Sequence, residues 1–149
     1  MDVLDDIDKR ILRILLEDAS MNYESIAKKV DTSVGTIHNR IKRMKEENII
    51  TKIIPAVNAH EIGYDICALI DIRIEGGHLE KVQAKFAKHE NVCSVYDVTG
   101  EYDTTFVTKF RTTEELNKFV KELAGQKYVL RTSTKLVLNI VKESFIPKI

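Results

Sequence analysis

The apolar side chains of this chain change rhythm once. Up to about residue 47 they recur every three or four positions, as one face of a helix requires. Beyond Tyr64 they fall into β-type runs separated by amphipathic helices. Such a chain of 149 residues is read as two small cores, each marginal by itself. We set the boundary at Gly63, giving segments 1–63 and 64–149. Charge does not distinguish them: the first carries 10 basic and 11 acidic side chains, the second 13 and 12. The whole chain balances 23 Lys and Arg against 23 Asp and Glu, which excludes a polybasic coating and nothing more.

In the first segment the spacing predicts a helix from Asp5 to Glu17, with Ile7, Ile11, Ile14 and Leu15 on one stripe. Asp5, Asp6 and Asp8 fall in its first turn, where the helix dipole favours them. A short helix over Tyr23–Val30 follows, capped by Asn22, and a third from Val34 to Glu47, capped by Ser33. Val34, Ile37, Ile41 and Met44 are expected to be buried. A strand is expected over Ile49–Ile54, broken by Pro55 before Ala56-Val57. Three short helices and a β-ribbon make a winged helix-turn-helix.

The second segment has the order βαββαβ. Strands are expected at Ile66–Ile74, Val92–Thr99, Thr104–Phe110 and Val129–Val141, and helices at Leu79–His89 and Thr113–Leu123. Two such halves form a ferredoxin-like domain, a four-stranded antiparallel sheet with both helices on one face. The overall class is therefore α+β. In the first strand Ile66, Ala68, Ile70, Ile72 and Ile74 can face the helices, which leaves Cys67 and Leu69 on the other side. Apolar residues on that open face point to self-association. Cys67 and Cys93 have no metal-ligand spacing, no apolar run approaches the roughly 18 residues of a membrane span, and the acidic start Met1–Asp6 is no signal peptide. A reduced cytoplasmic setting is the expectation, with neither cofactor nor metal.

The third helix carries the chemistry. With its apolar stripe buried, it turns Gly35, Thr36, His38 and Asn39 outward at its start, and Arg40, Lys42, Arg43 and Lys45 after them. Short polar side chains suit base edges and the later cations suit phosphates. Ser33 and the free amides of the first turn can hold a phosphate oxygen, and Lys52 on the wing can reach a neighbouring one. The plainer alternative is a solvated basic face; the helix-turn-helix context favours duplex DNA.

These residues resemble the Lrp/AsnC (leucine-responsive, feast/famine) family of prokaryotic transcription regulators. The resemblance is carried by Leu4-Asp5-Asp6-Ile7-Asp8-Lys9-Arg10-Ile11-Leu12, Ile26–Val30, Ser33–Met44, Ile49-Ile50 and Ile62-Gly63-Tyr64. In the second segment it rests on Val98-Thr99-Gly100-Glu101-Tyr102-Asp103 and on Arg131-Thr132-Ser133-Thr134. Together these span almost the whole chain. The resemblance implies regulation at palindromic operators by a homodimer, often assembled to octamers, with a small effector, commonly an amino acid. It places that effector near Val98, Thr99, Gly100, Glu101, Tyr102, Asp103, Thr132, Ser133 and Thr134. Asp103 would pair with an ammonium group and the Gly100 turn would hold a carboxylate. Glu101 departs from the family's usual Asp.

Other classes fit the residues less well, a stand-alone ligand-binding module being disfavoured by the attached winged helix. Sirohaem decarboxylases share the two-domain arrangement, but His60, His78 and His89 are scattered in sequence and none sits beside a convincing acid or nucleophile, so no enzyme is expected. An RNA-binding sheet needs exposed aromatics on central strands, and Tyr96, Tyr102, Phe106 and Phe110 are wrongly spaced for it.

Overall fold

The structure is a computed structural model and describes residues 4–147 and 149; Met1–Val3 of the acidic start lie outside them. Its contacts divide the chain into two units. The first runs to Ala56 and takes in the segment from Ser144 onward; the second is Val57–Glu143.

The first unit is three helices: α1 (Asp6–Glu17), α2 (Tyr23–Val30) and α3 (Val34–Glu46). Each begins at a side-chain cap. Asp5 accepts the Asp8 amide at 2.8 Å and Asp8 accepts the Asp5 amide at 3.2 Å, a reciprocal capping box. Asn22 and Ser33 accept the amides of Ser25 and Thr36 at the starts of α2 and α3. Arg10 closes the other end of α2 by donating to the Lys29 carbonyl at 2.9 Å. Ile11, Leu12, Ile26, Ala27, Val30, Ile37, Ile41 and Met44 form the core, with Ile7, Ile14 and Leu15 at its margin. Two expectations fail here. Val34 is exposed, because the first residue of α3 lies beyond the reach of the core. The strand over Ile49–Ile54 does not form. Asn48 takes a left-handed φ of 57°, and the amides of Ile49 and Ile50 both fold back onto the Met44 carbonyl, closing the helix. Ile53 and Ile54 then run on exposed, with no strand beside them among the described residues.

In the second unit a 3₁₀ turn at His60–Ile62 precedes β1 (Ile66–Ile74), α4 (Leu79–Phe86), β2 (Val92–Asp97), β3 (Thr104–Phe110), α5 (Thr113–Ala124) and β4 (Val129–Leu136). The strands pair antiparallel in the order β2-β3-β1-β4, the ferredoxin-like arrangement. Alternate residues Ala68, Ile70, Ile72 and Ile74 of β1 and Phe106 and Phe110 of β3 are buried with Val82 and Phe86 of α4 and Phe119 and Leu123 of α5. Phe119 meets Phe86 edge-on at 5.7 Å and Phe110 at 5.5 Å.

Three elements are shorter than their apolar runs suggest. α4 stops at Phe86 rather than His89. Asn91 binds β3 there, donating its side-chain amide to the Lys109 carbonyl at 2.8 Å. β2 ends at Asp97 rather than Thr99, where the turn to β3 begins. β4 ends at Leu136 rather than Val141, because its partner β1 begins at Ile66 and leaves nothing to pair with beyond the Val137 amide on Cys67.

Candidate functional site

α3 follows α2 by a tight connection in which Asp31 is left-handed at φ 58° and the Thr32 amide returns to the Ala27 carbonyl. This turn leaves the start of α3 open. Ser33, Val34, Gly35, His38 and Asn39 are exposed and Thr36 is half-buried. The Ser33 hydroxyl is already committed to Thr36, accepting its amide at 3.1 Å and lying 2.9 Å from its hydroxyl. That hydroxyl is thus engaged within the helix start, and the amides of the first turn are what remain to meet an anion. His38 leans edge-on against Tyr23 of α2 at 6.1 Å, which braces the ring beside Asn39.

The four cations of α3 divide into two kinds. Lys42 and Lys45 are exposed; Lys42 has Glu46 at 3.9 Å, a weak surface pair. Arg40 and Arg43 turn onto α1. Arg40 donates to Asp5 at 2.6 Å and to Asp8 at 2.8 Å, and Arg43 donates to the other oxygen of Asp8. The Asp8 side chain is 1% exposed. Arg43 Nε is buried with no hydrogen-bond partner among the described residues, its neighbour Glu47 standing 3.9 Å away. The Asp8 amide and the Arg40 guanidinium hold the Asp5 carboxyl below its ordinary 3.8, and the Asp5 and Asp8 carboxylates raise Arg40. Lys52 is exposed. Val34, which spacing assigned to the core, instead adds an apolar side chain to the open face. Only its position at the very first turn of the helix could have signalled this.

In the second unit the turn between β2 and β3 carries the other candidate residues. Val98, Thr99, Gly100 and Glu101 are exposed, and Gly100 has φ +119°, a conformation that side-chain-bearing residues rarely adopt. Tyr102 and Asp103 are half-buried. Asp103 ties the turn to β1: its amide donates to the Ile72 carbonyl at 3.0 Å and its carboxylate accepts the Ile74 amide at 2.7 Å. Glu101 accepts from Arg131 at 2.7 Å, while its carbonyl accepts from Arg73 at 3.0 Å. Arg131 also lies 5.9 Å from the Tyr102 ring. In the sequence Arg131 figures only as part of a motif, and neither arginine's contact with Glu101 is foreseen there, because the partner is 28 to 30 positions away.

Thr132, Ser133 and Thr134 do not converge. They oppose Ile72, Asp71 and Ile70, so the two threonines share the helix-side face and Ser133 points to the other. On that open face Asp71 is nearly buried. Burial pushes its carboxyl up, but hydrogen bonds from Lys135 and from Thr105 at 2.7 Å more than offset this and hold it below its ordinary value. Cys67 and Cys93 are free thiols, and burial raises both.

A sequence model for winged helix-turn-helix DNA-binding domains matches residues 4–51, and one for the Lrp/AsnC ligand binding domain matches residues 67–147. An HTH-type transcriptional regulator of Pyrococcus horikoshii is 43% identical over 142 residues, 95% of this chain and 96% of that protein. The HTH-type transcriptional regulator FL11 of Pyrococcus furiosus is 37% identical over 142 residues, 95% of this chain and 94% of that one. Among solved structures, E. coli AsnC superimposes with a TM-score of 0.89 at 27% identity, covering 97% of this chain and 98% of its own. A transcriptional regulator of Neisseria meningitidis in complex with L-Met superimposes with a TM-score of 0.92 at 22% identity, covering 97% of each.

Proposed function

The chain belongs to the Lrp/AsnC family of DNA-binding transcription regulators, and from that premise we propose that the start of α3 enters the major groove of palindromic operators. The observation that carries this is the open first turn of α3, polar and small at Gly35, Thr36, His38 and Asn39, with Lys42 and Lys45 exposed behind it. Ser33 caps the start of that face, and Lys52, exposed in the segment after α3, is assigned to a neighbouring phosphate. Val34 offers a methyl-bearing surface of the kind that contacts thymine.

Residues 1–63 are assigned to DNA and 64–149 to oligomerisation and effector binding. A homodimer, with further assembly toward an octamer, matches the two-fold symmetry of a palindrome. The effector is read as an amino acid held near Gly100–Asp103 and Thr132–Thr134. The backbone amide of Gly100 suits a carboxylate, and the oxygen of Asp103 that does not accept the Ile74 amide suits an ammonium group. The Neisseria complex with L-Met supports that ligand class. No helix among the described residues is long and apolar enough to cross a membrane, and the reading is of a cytoplasmic regulator. Relatives named as transcriptional regulators favour this over a sirohaem-decarboxylase-like enzyme.

Footprinting of the purified protein on its own promoter region tests the reading. Paired half-sites spaced by whole helical turns are expected, with affinity falling steeply as salt rises. Absent or salt-insensitive binding would overturn it. A thermal-shift screen of the twenty amino acids tests the effector, because a ligand that prefers the folded state raises its melting temperature. If none of the twenty moves it, the effector assignment fails.

A further inference from the structure

We propose that Asp5 and Asp8 of α1 mask Arg40 and Arg43 of α3 and so set how strongly the protein discriminates its operator from other DNA. The inference rests on the DNA-binding role assigned to α3 and deepens it. α3 carries no acid between Val34 and Lys45, yet two acids reach it from a helix more than thirty residues earlier. One nitrogen of Arg40 is shared between Asp5 at 2.6 Å and Asp8 at 2.8 Å, and Arg43 takes the remaining Asp8 oxygen. Two guanidinium groups and two carboxylates form a neutral quartet. A phosphate approaching Arg40 meets the Asp5 carboxylate on the same nitrogen and is repelled by it.

Two consequences follow for binding. Nonspecific affinity is almost wholly electrostatic, so taking two of the four α3 cations out of play weakens it most. The specific complex keeps its base contacts, because the same ion pairs fix the roll of α3 about its axis and hold Thr36 and Asn39 toward the groove. Phosphates are then met by Lys42, Lys45 and Lys52. Arg40 and Arg43 are positioning residues, and Asp5 and Asp8 determine specificity.

The test is a salt titration of binding to an operator duplex and to a scrambled duplex, using the full chain. Asp5→Asn is the informative variant: its side chain is 52% exposed, and asparagine caps a helix as well as aspartate does while removing the charge. It should steepen the slope of log K against log salt by about 0.9 on the scrambled duplex, one added phosphate contact. Binding there should then fall about 3.5-fold further between 50 and 200 mM salt, and the preference for the operator should narrow. Lys42→Ala should make the slope shallower by about the same amount. Arg40→Ala should weaken operator binding with the slope unchanged, and Arg40→Lys should restore part of the loss. Thermal unfolding of each variant separates misfolding from lost positioning. If Arg40→Ala flattens the slope as Lys42→Ala does, and Asp5→Asn leaves it alone, Arg40 contacts phosphate and the masking proposal is overturned. If the unaltered protein shows no salt-dependent duplex binding, the DNA-binding role falls and the masking proposal with it.

Discussion

Asp8 lies in the first turn of α1, where any carboxylate gains from the helix dipole, yet it is buried against two arginines. Removing it leaves Arg40 with Asp5 alone and takes from Arg43 its carboxylate partner on α1. Arg40 keeps 23% and Arg43 43% of its side-chain exposure, so water relieves part of the penalty. Asp8→Ala is therefore expected to destabilise the first unit by about 1–3 kcal/mol, below the figure for a fully buried pair, measured by urea unfolding. Acid should act on the same contacts. The Asp5 and Asp71 carboxyls sit below their ordinary 3.8 in the folded chain. Their contribution is present above that value and is lost as pH falls through the lower folded value. Melting temperature followed from pH 7 downward should fall mainly below about pH 4, and Asp71→Asn should flatten that limb for the second unit. Gly100 gives a third check. With φ +119° and open space around its Cβ position, Gly100→Ala should cost about 1–3 kcal/mol through backbone strain alone, read from thermal unfolding.

The caps of α1, α2, α3 and α5 show how far local chemistry reaches. Asp5, Asn22, Ser33 and Thr112 each accept an amide three residues on, and each is an N-cap residue type placed directly before a helical stripe. Ser33→Ala should lower the stability of the first unit by about 1 kcal/mol, measured by hydrogen exchange along α3. Helix starts and the alternation of β1 and β3 were legible in the sequence because they depend on neighbours one to four positions away. Ends were less so. Ile49–Ile54 has the composition of a strand, but a strand is defined by its partner, and the Met44 carbonyl takes the first two amides instead. β4 and α4 were read too long for the same reason, since β1 and the Asn91 bond to β3 set their limits. In the site, the exposed turn of α3 was visible from spacing. The commitment of Arg40 and Arg43 to α1, and of Glu101 to Arg131, was not, because sequence spacing cannot reveal contacts made across the fold.

The described residues form two separate cores, with none of them common to both. Phe106→Ala should cost about 3–5 kcal/mol and remove amide protection in the second unit, while Ile37→Ala should do the same in the first at about 2–5 kcal/mol. Protection lost across both units from either change would contradict this division. The zero net charge also acquires an internal arrangement: acids of α1 are spent on the cations of α3, leaving the lysines to carry the field toward solvent. That arrangement has a thermal side. Hydrophobic stabilisation levels off on heating, whereas the penalty for removing charges from water declines. The Asp8–Arg43 link should therefore take a growing share in holding α1 against α3, seen as a larger double-mutant coupling at about 55 °C than at about 25 °C.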